Sequence, residues 1–313
     1  MERRLDKKIS YNVNSDKYDL KRNPGRVWHP ATTVRFYGFP DEVVAYYQNA
    51  DFVQSLNLAH EKLFRSIAYL GPLRTKAERL YSWTGTEPES VGYVGDNTVA
   101  SILAARQRQI SLGFRKRSLP FEQVIAQKLK DMGLIDSFKV SQISNKRQDY
   151  EVKVKTKGSA GMVDLPDVGF GISQVLPVLV ECFYAPRNSI IVMEQPEIHL
   201  HPRAQSLLAD VMIDVISARE GGKDRNIQLI IETHSEHFLR RLQRRIAENV
   251  VSKCNVAAYF ADVSKSPAAL EELQIDLFGN IQNWPEHFFG DEMEDITAQS
   301  KAALRRRFAG AKE

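Results

Sequence analysis

Two short apolar runs, Ser189 to Met193 and Ile227 to Ile231, constrain this chain more than any other feature of it. Each is too short for a helix, and Pro186 and Pro196 bracket the first, so both are expected as strands, the first buried on both faces in mid-sheet. Between them apolar residues fall at Ala204, Leu207, Leu208, Val211, Met212, Val215 and Ile216. That spacing is one face of a helix, with Pro202 in its opening turn and Gly221 and Gly222 ending it. Such a strand, crossover helix, strand unit is expected to be parallel and right-handed. Both strands then end at one sheet edge, where open α/β folds bind ligands. Glu194 and Gln195 follow the first strand and Thr233, His234 and Ser235 the second, so a carboxylate, an amide and an imidazole are expected within reach of one ligand.

Each of these groups has a functional and a structural reading. Glu194 is suited to holding Mg²⁺ through water, or to capping a turn. His234 is suited to donating a hydrogen bond to a terminal phosphate oxygen, or to a structural hydrogen bond. Upstream, Gly169 and Gly171 precede a helix expected from near Gln174, apolar almost all round from Val175 to Phe183 and hence buried, with Pro177 in its first turn. The glycine turn would face outward, with backbone N–H groups and a helix end available to phosphate.

Together these residues resemble the carboxyl-terminal half of an ABC-type ATPase head, of the group that includes chromosome-maintenance ATPases and the ATPase part of overcoming-lysogenization-defect nucleases. Gly169-Phe170-Gly171 resembles the signature turn, Ile190 to Gln195 the Walker B strand, Pro196 to His201 the D-loop, and Thr233-His234-Ser235 the histidine switch. The strings GFGISQ, EQPEIHLHP and ETHS, with YLGPLR at Tyr69 to Arg74 and NWPEHFF at Asn283 to Phe289, are similar to a less characterised bacterial branch of these ATPases. The resemblance covers the chain from about residue 60 onward and is carried by several motifs jointly. It implies an α/β fold, a partial P-loop NTPase head with a parallel sheet, a helical and hairpin lid insertion and a small carboxyl-terminal cap. It also implies ATP and Mg²⁺ as cofactors, with Glu194, Gln195 and His234 catalytic, Glu194 on the metal, and Gly169, Gly171, Ser173 and Gln174 binding the nucleotide, the two glycines in trans in a head-to-tail dimer. The implied partner is an effector protein, such as a nuclease in bacterial antiphage defence; the alternative is a non-hydrolysing scaffold or a nucleic-acid-associated subunit.

Three departures from the family pattern bear on function. Gly169 stands where the signature turn usually has serine. Gln195 stands at the usual general-base position, and its amide orients water without accepting a proton. No G-x-x-x-x-G-K-[ST] occurs; the nearest string, Ala218 to Arg225, lacks the first glycine and the hydroxyl and lies between a helix and a strand. We therefore expect this half to follow an amino-terminal segment carrying the phosphate loop, in a longer chain or a separate subunit.

The 313 residues, 43% hydrophobic, suffice for one large or two modest domains. A net charge of +4 is too small to argue by itself for nucleic acid. Patches are the candidates: Arg240, Arg241, Arg244 and Arg245 on one helix face, Arg115-Lys116-Arg117, and Arg305-Arg306-Arg307, each a phosphate-binding surface or a solvated face. Cys182 and Cys254 are too few for a disulfide framework and are expected as buried thiols in a reducing cytoplasm. His199, His201, His234 and His237 match no usual zinc spacing, so loop-capping imidazoles are the simpler account. No apolar run approaches the roughly 20 residues of a membrane helix.

We expect four segments: 1–65, an extension with one or two helices; 66–165, a head strand with lid-like helices and a hairpin; 166–264, the ATPase core; and 265–313, a cap. Helices are expected over Thr98 to Ile110 and Phe121 to Met132, parted by the basic turn at Arg115 to Arg117. A hairpin is expected from Phe138 to Ile143 and Tyr150 to Lys155, and Tyr81 to Asn97 reads as loop. Arg74 reads as a phosphate or partner contact, or a solvated turn residue. Ser235 is expected to cap the helix Glu236 to Ala247, Asn255 to Asp262 to form a strand, and Phe278, Trp284, Phe288 and Phe289 to form the core of the cap.

Overall fold

The computed structural model describes residues 21–25, 32–144, 147–262, 267–285, 297–304 and 306. The chain divides into two compact units, Met1–Ile67 and Ala68–Glu313. In the first, α1 (Glu42–Tyr46) and α2 (Asp51–Arg65) bury Val43, Ala50 and Val53. Tyr37 stacks on Phe64 at 4.3 Å, and its hydroxyl donates to Glu61, which also pairs with Arg35 and Arg65. The one or two helices expected within 1–65 are thus present.

The second unit is built around α5 (Phe170–Tyr184), in which every side chain from Ile172 to Tyr184 is buried. Against the helix lie α3 (Thr98–Ala104), α4 (Phe121–Asp131) and α6 (Pro202–Ser217). Beside these runs a three-stranded sheet ordered β1 (Ile67–Leu70), β8 (Ile190–Glu194), β11 (Gln228–Glu232). Strands β8 and β11 are parallel, with Gln228 opposite Ile190 and Glu232 opposite Glu194. The crossover through α6 therefore delivers both strand ends to one edge, as the apolar pattern requires.

The structure corrects the expected burial of β8. Ile191 and Met193 are fully buried, but Ile190, Val192 and Glu194 are only half-buried, and in register beside them Ile230 is 57% exposed. One face of this sheet packs on the helices and the other is open. A short apolar run looks the same in both cases, because β-branched residues suit either face.

Further sheets flank this core. β3 (Gln109–Ser111) and β4 (Ser118–Pro120) form a hairpin extended by β9 (Arg219–Glu220) and β10 (Lys223–Asp224). The helix expected to reach Ile110 thus stops at Ala104, and Arg115 to Arg117 lie in a hairpin rather than between helices. Gly221 and Gly222, with φ of +58° and +78°, make the β9–β10 turn instead of ending α6, which stops at Ser217. Two successive positive φ angles favour Gly-Gly in a two-residue hairpin. β5 (Ser137–Gln142) and β6 (Asp149–Lys155) form the expected hairpin, joined by β2 (Tyr81–Ser82) and β7 (Val163–Asp164). β12 (Tyr259–Asp262) pairs with β13 (Ala269–Glu272), so the strand expected from Asn255 is shorter. Phe278 is 74% exposed and is not core; Phe288 and Phe289 lie outside the described residues, as do Arg305 and Arg307.

Helix α5 also begins earlier than expected, so Pro177 sits in its interior and not its first turn. Proline there leaves one carbonyl without its intrahelical donor. The ring is held by close packing: a Cβ on Gly95, whose φ is +79°, would lie 2.7 Å from the Pro177 Cβ. At the other end, four successive carbonyls are capped by two arginines. Arg225, fully buried, donates to Cys182 O at 2.9 Å and Ala185 O at 2.5 Å. Arg108 donates to Tyr184 O at 2.7 Å and Phe183 O at 3.4 Å, and binds Glu220 with both arms at 2.8 and 2.9 Å. Positive groups at a helix carboxyl terminus meet its unsatisfied carbonyls and its negative dipole end.

Candidate nucleotide site

The carboxyl edge of β8 and β11 gathers the polar groups anticipated there. The Gln195 N–H donates to Glu232 O at 2.8 Å, continuing the ladder one step past the strand. Gln195 itself has a φ of +44°, and His199 one of +63°, so the chain turns sharply over Pro196 to Leu200. Two internal bonds brace this turn, Ile198 N–H to Gln195 O at 3.1 Å and Leu200 N–H to Glu197 O at 3.1 Å.

Glu194 accepts a hydrogen bond from the Tyr69 hydroxyl on β1, and this bond above all pushes the phenol well above its ordinary range. Glu232 lies directly opposite Glu194 and is exposed. His234 is likewise exposed, its Nε2 4.0 Å from Glu232 Oε1. Carboxylates at 194 and 232 thus stand side by side with an imidazole beyond them.

Beneath this edge lies a buried polar layer centred on Glu197, to which the sequence reading gave no role of its own. Arg74, 7% exposed, is not a solvated turn residue: its Nη2 donates to Glu194 O at 3.1 Å and reaches Gln195 O at 3.4 Å. Burial pushes its guanidinium down to about 10, and the nearby Glu197 carboxylate opposes that shift. Glu197, 5% exposed, accepts from Thr233 Oγ1 at 2.7 Å and from His234 N at 3.0 Å. One carboxylate on the β8 turn therefore fixes the backbone that carries the imidazole. Ser235 continues the arrangement, its hydroxyl accepting from Phe238 N at 3.1 Å as the cap of α7 (Glu236–Ala247) and donating to Gln205 Oε1 at 2.6 Å. The second glutamate of the EQPE string was the available signal for Glu197; for Tyr69 only a half-polar position near the end of a short strand marked it.

Gly169 precedes α5 and is exposed, with nothing within 4 Å of where a Cβ would sit. Gly171 is different. It lies in the first turn of the helix, and a Cβ there would stand 2.7 Å from His199 O. Its role is close approach between α5 and the 195–200 turn, reinforced by the Phe170 and His199 rings at 4.8 Å. Ser173 and Gln174 are buried along α5; Ser173 Oγ donates to Phe170 O at 2.7 Å. Of the four residues expected to meet nucleotide, Gly169 alone is openly presented.

The expected basic face of α7 is largely neutralised. Arg241 and Arg245 both clamp Asp210 on α6, at 2.7 and 2.6 Å, while Arg240 pairs with Glu236 and Arg244 with Glu248. His201 caps α6, its Nδ1 accepting from Arg203 N at 3.3 Å. Of the two thiols, Cys182 is buried as expected and Cys254 is exposed, which it was not expected to be.

The donor set suits Mg²⁺ in one way. Glu194 and Glu232, opposite each other in register, offer hard oxygen ligands, but among the described residues they are not part of any group of three or more His, Cys, Asp or Glu that could hold a metal. Magnesium typically takes one or two carboxylates and keeps water and phosphate oxygens for the rest. Among the described residues no helix is long and apolar enough to cross a membrane.

Residues 100–239 match the family model described as AAA ATPase domain, and residues 251–299 match one described as protein of unknown function (DUF3696). No curated protein matches the chain. Among solved structures, one from work on ATP-driven dimerization and DNA-stimulated activation of SMC ATPases is 10% identical, with a TM-score of 0.38 over 49% of this chain and 83% of that one. An Smc head bound to the C-winged helix domain of ScpA is 9% identical, with a TM-score of 0.36 over 50% of this chain and 43% of that one. A Pyrococcus furiosus Smc head with an extended coiled coil, bound to the carboxyl-terminal domain of ScpA, is 13% identical at a TM-score of 0.30, covering 39% of this chain and 29% of that one. At such scores these structures carry no argument, and the likeness to ATPases rests on the AAA ATPase domain match over residues 100–239.

Proposed function

We infer from the chain's place among the ABC/AAA-like ATPase heads, carried by residues 100–239, that it binds ATP with Mg²⁺ at the β8–β11 edge and works as a dimer. The observation that supports this most is the register that sets Glu232 beside Glu194, with His234 two residues on. In this reading Glu194 holds the metal through water, Gln195 orients the attacking water, and His234 donates to the terminal phosphate. Bound Mg²⁺ would neutralise charge on the phosphates as they separate. Exposed Gly169 offers the amino-terminal end of α5 to nucleotide held by a second copy, where unsatisfied N–H groups and the helix dipole favour phosphate.

The reading needs a phosphate loop, which the 313 residues do not contain as G-x-x-x-x-G-K-[ST], and so it requires that a further segment or subunit supply one. Gln195 cannot accept the proton of the attacking water, which favours slow turnover and a role in which nucleotide-driven closure, more than hydrolysis, signals to a cytoplasmic effector protein.

Nucleotide-dependent dimerisation tests this. The chain alone and the chain with its phosphate-loop segment are mixed with Mg²⁺ and a non-hydrolysable ATP analogue, and mass is followed by sedimentation velocity. Dimers are expected in the second mixture, lost on Gly169→Asp. Failure of both mixtures to bind the analogue rejects the reading. Glu194→Ala is expected to abolish Mg²⁺-dependent turnover, and His234→Ala to impair turnover while leaving the melting temperature within about 2 °C; unchanged turnover in either variant removes that residue from the site.

A further inference from the structure

The cations of α7 are spent on acidic partners, but those of the β3–β4 hairpin are not. Its strands pair through Gln109 with Pro120, Ile110 with Leu119 and Ser111 with Ser118, and residues 112–117 form the tip. That tip is internally braced. Ser111, 8% exposed, places its hydroxyl 2.8 Å from the carbonyls of both Gly113 and Lys116. The Lys116 N–H donates to Gly113 O at 3.3 Å, and Arg115 takes a φ of +60°.

At the summit Phe114 is 70% exposed. Two guanidiniums lie by its ring: Arg115 at 5.1 Å from the centroid, and Arg219 of neighbouring β9 at 5.2 Å. Arg115, Lys116 and Arg117 are exposed and form no ion pair with any described residue. Lys223 of β10 adds a cation to the same sheet, and Asp224 is engaged with Arg219 at 3.1 Å.

We propose that this hairpin tip is a binding site for single-stranded nucleic acid, independent of the nucleotide edge. An aromatic ring displayed outside any core contributes little to folding. With the unpaired Arg115, Lys116 and Arg117 around it, it matches what an unpaired strand requires: a surface on which a base stacks, with positive charges within reach of the flanking phosphates. A duplex keeps its bases stacked on one another and would leave the ring idle, and so would an acidic peptide recognised by charge alone.

The test uses the whole chain and a fluorescein-labelled oligothymidylate of about 20 nucleotides, followed by anisotropy between about 50 and 200 mM KCl. Phe114→Ala is expected to weaken binding about tenfold. The triple variant Arg115→Ser, Lys116→Ser, Arg117→Ser is expected to reduce the slope of log affinity against log salt by about 2, since each phosphate contact on a single strand contributes about 0.7. The pair Arg240→Ser, Arg244→Ser is expected to change neither. Absence of binding at about 50 mM salt overturns the proposal. So does equal affinity for a duplex with no loss in Phe114→Ala, and so does polyglutamate competing as well as the oligonucleotide at equal charge. Should a variant misfold by circular dichroism, photocrosslinking of an iodouracil oligonucleotide to the wild-type chain decides: adducts within residues 112–117 uphold the site, and adducts confined elsewhere overturn it.

Discussion

Replacing Arg225 with methionine tests whether the carboxyl end of α5 is held as described. The substitution keeps the length of the aliphatic stem and removes two charge-assisted donors, to Cys182 O and Ala185 O. Hydrogen bonds to charged groups contribute roughly 1.5–3 kcal/mol each, and the carbonyls left behind are buried. Against this stands the cost of burying the guanidinium, visible in its depression to about 10, with burial the first cause. Glu220 is not orphaned by the change, because Arg108 still grips both its oxygens. The balance is a loss of roughly 3 kcal/mol. For a unit of this size that corresponds to a fall of about 10 °C in melting temperature, read by circular dichroism at neutral pH. Arg225→Lys, able to serve one carbonyl, is expected to fall between. A methionine variant melting within about 2 °C of wild type would refute the clamp and reassign Arg225 to packing.

Other consequences are open to direct measurement. Glu197→Ala removes the acceptor of Thr233 and His234 and leaves Arg74 buried without its carboxylate; a loss of about 3–5 kcal/mol in a urea titration is expected, whereas a change under about 1 kcal/mol would show that this layer holds little. In native protein a thiol reagent should label Cys254 alone, since Cys182 is buried and burial pushes its thiol up to about 12; fast labelling of both would contradict that packing. Glu181, buried on α5 and accepting from Val91 N at 2.8 Å, has its carboxyl raised by burial above the ordinary value. Above the raised value the carboxylate is charged in both states and its burial costs stability; between the raised and the ordinary value the folded state holds a proton that the unfolded chain has released, so that cost is relieved as pH falls through this window. Glu181→Gln should raise the melting temperature by about 3 °C at pH 7 and give no gain near pH 4, and a gain equal at both would refute the account.

The βαβ edge was legible because its signals are local. Four apolar residues in each run set the strands, the recurrence from Ala204 to Ile216 set α6, and the residues after the strands had to arrive together. Ser235 was legible as a cap for the same reason. What escaped depends on neighbours distant in sequence. Whether β8 is covered on one face or two is decided by elements that its five residues do not specify. Ile110 went to a strand because β4 and β9 offered pairing, overriding a helical pattern. The α7 arginines were read as a free face, yet Asp210 on another helix draws two of them inward. Pro177 was assigned to a first turn because helix interiors exclude proline in isolation; the contact with Gly95 that accommodates the ring lies far off in the chain.

The bond between Tyr69 and Glu194 joins residues 125 positions apart, and Arg74 reaches Glu194 across 120. Closing so long a loop costs entropy before any contact rewards it, so such pairings form slowly compared with the hairpins and helices around them. The edge carrying the acid and the imidazole is thus completed late, after β1 finds β8. On that order a refolding chain is expected to regain its helices before the Glu194–His234 edge, and nucleotide added at the start is expected to leave the refolding rate unchanged.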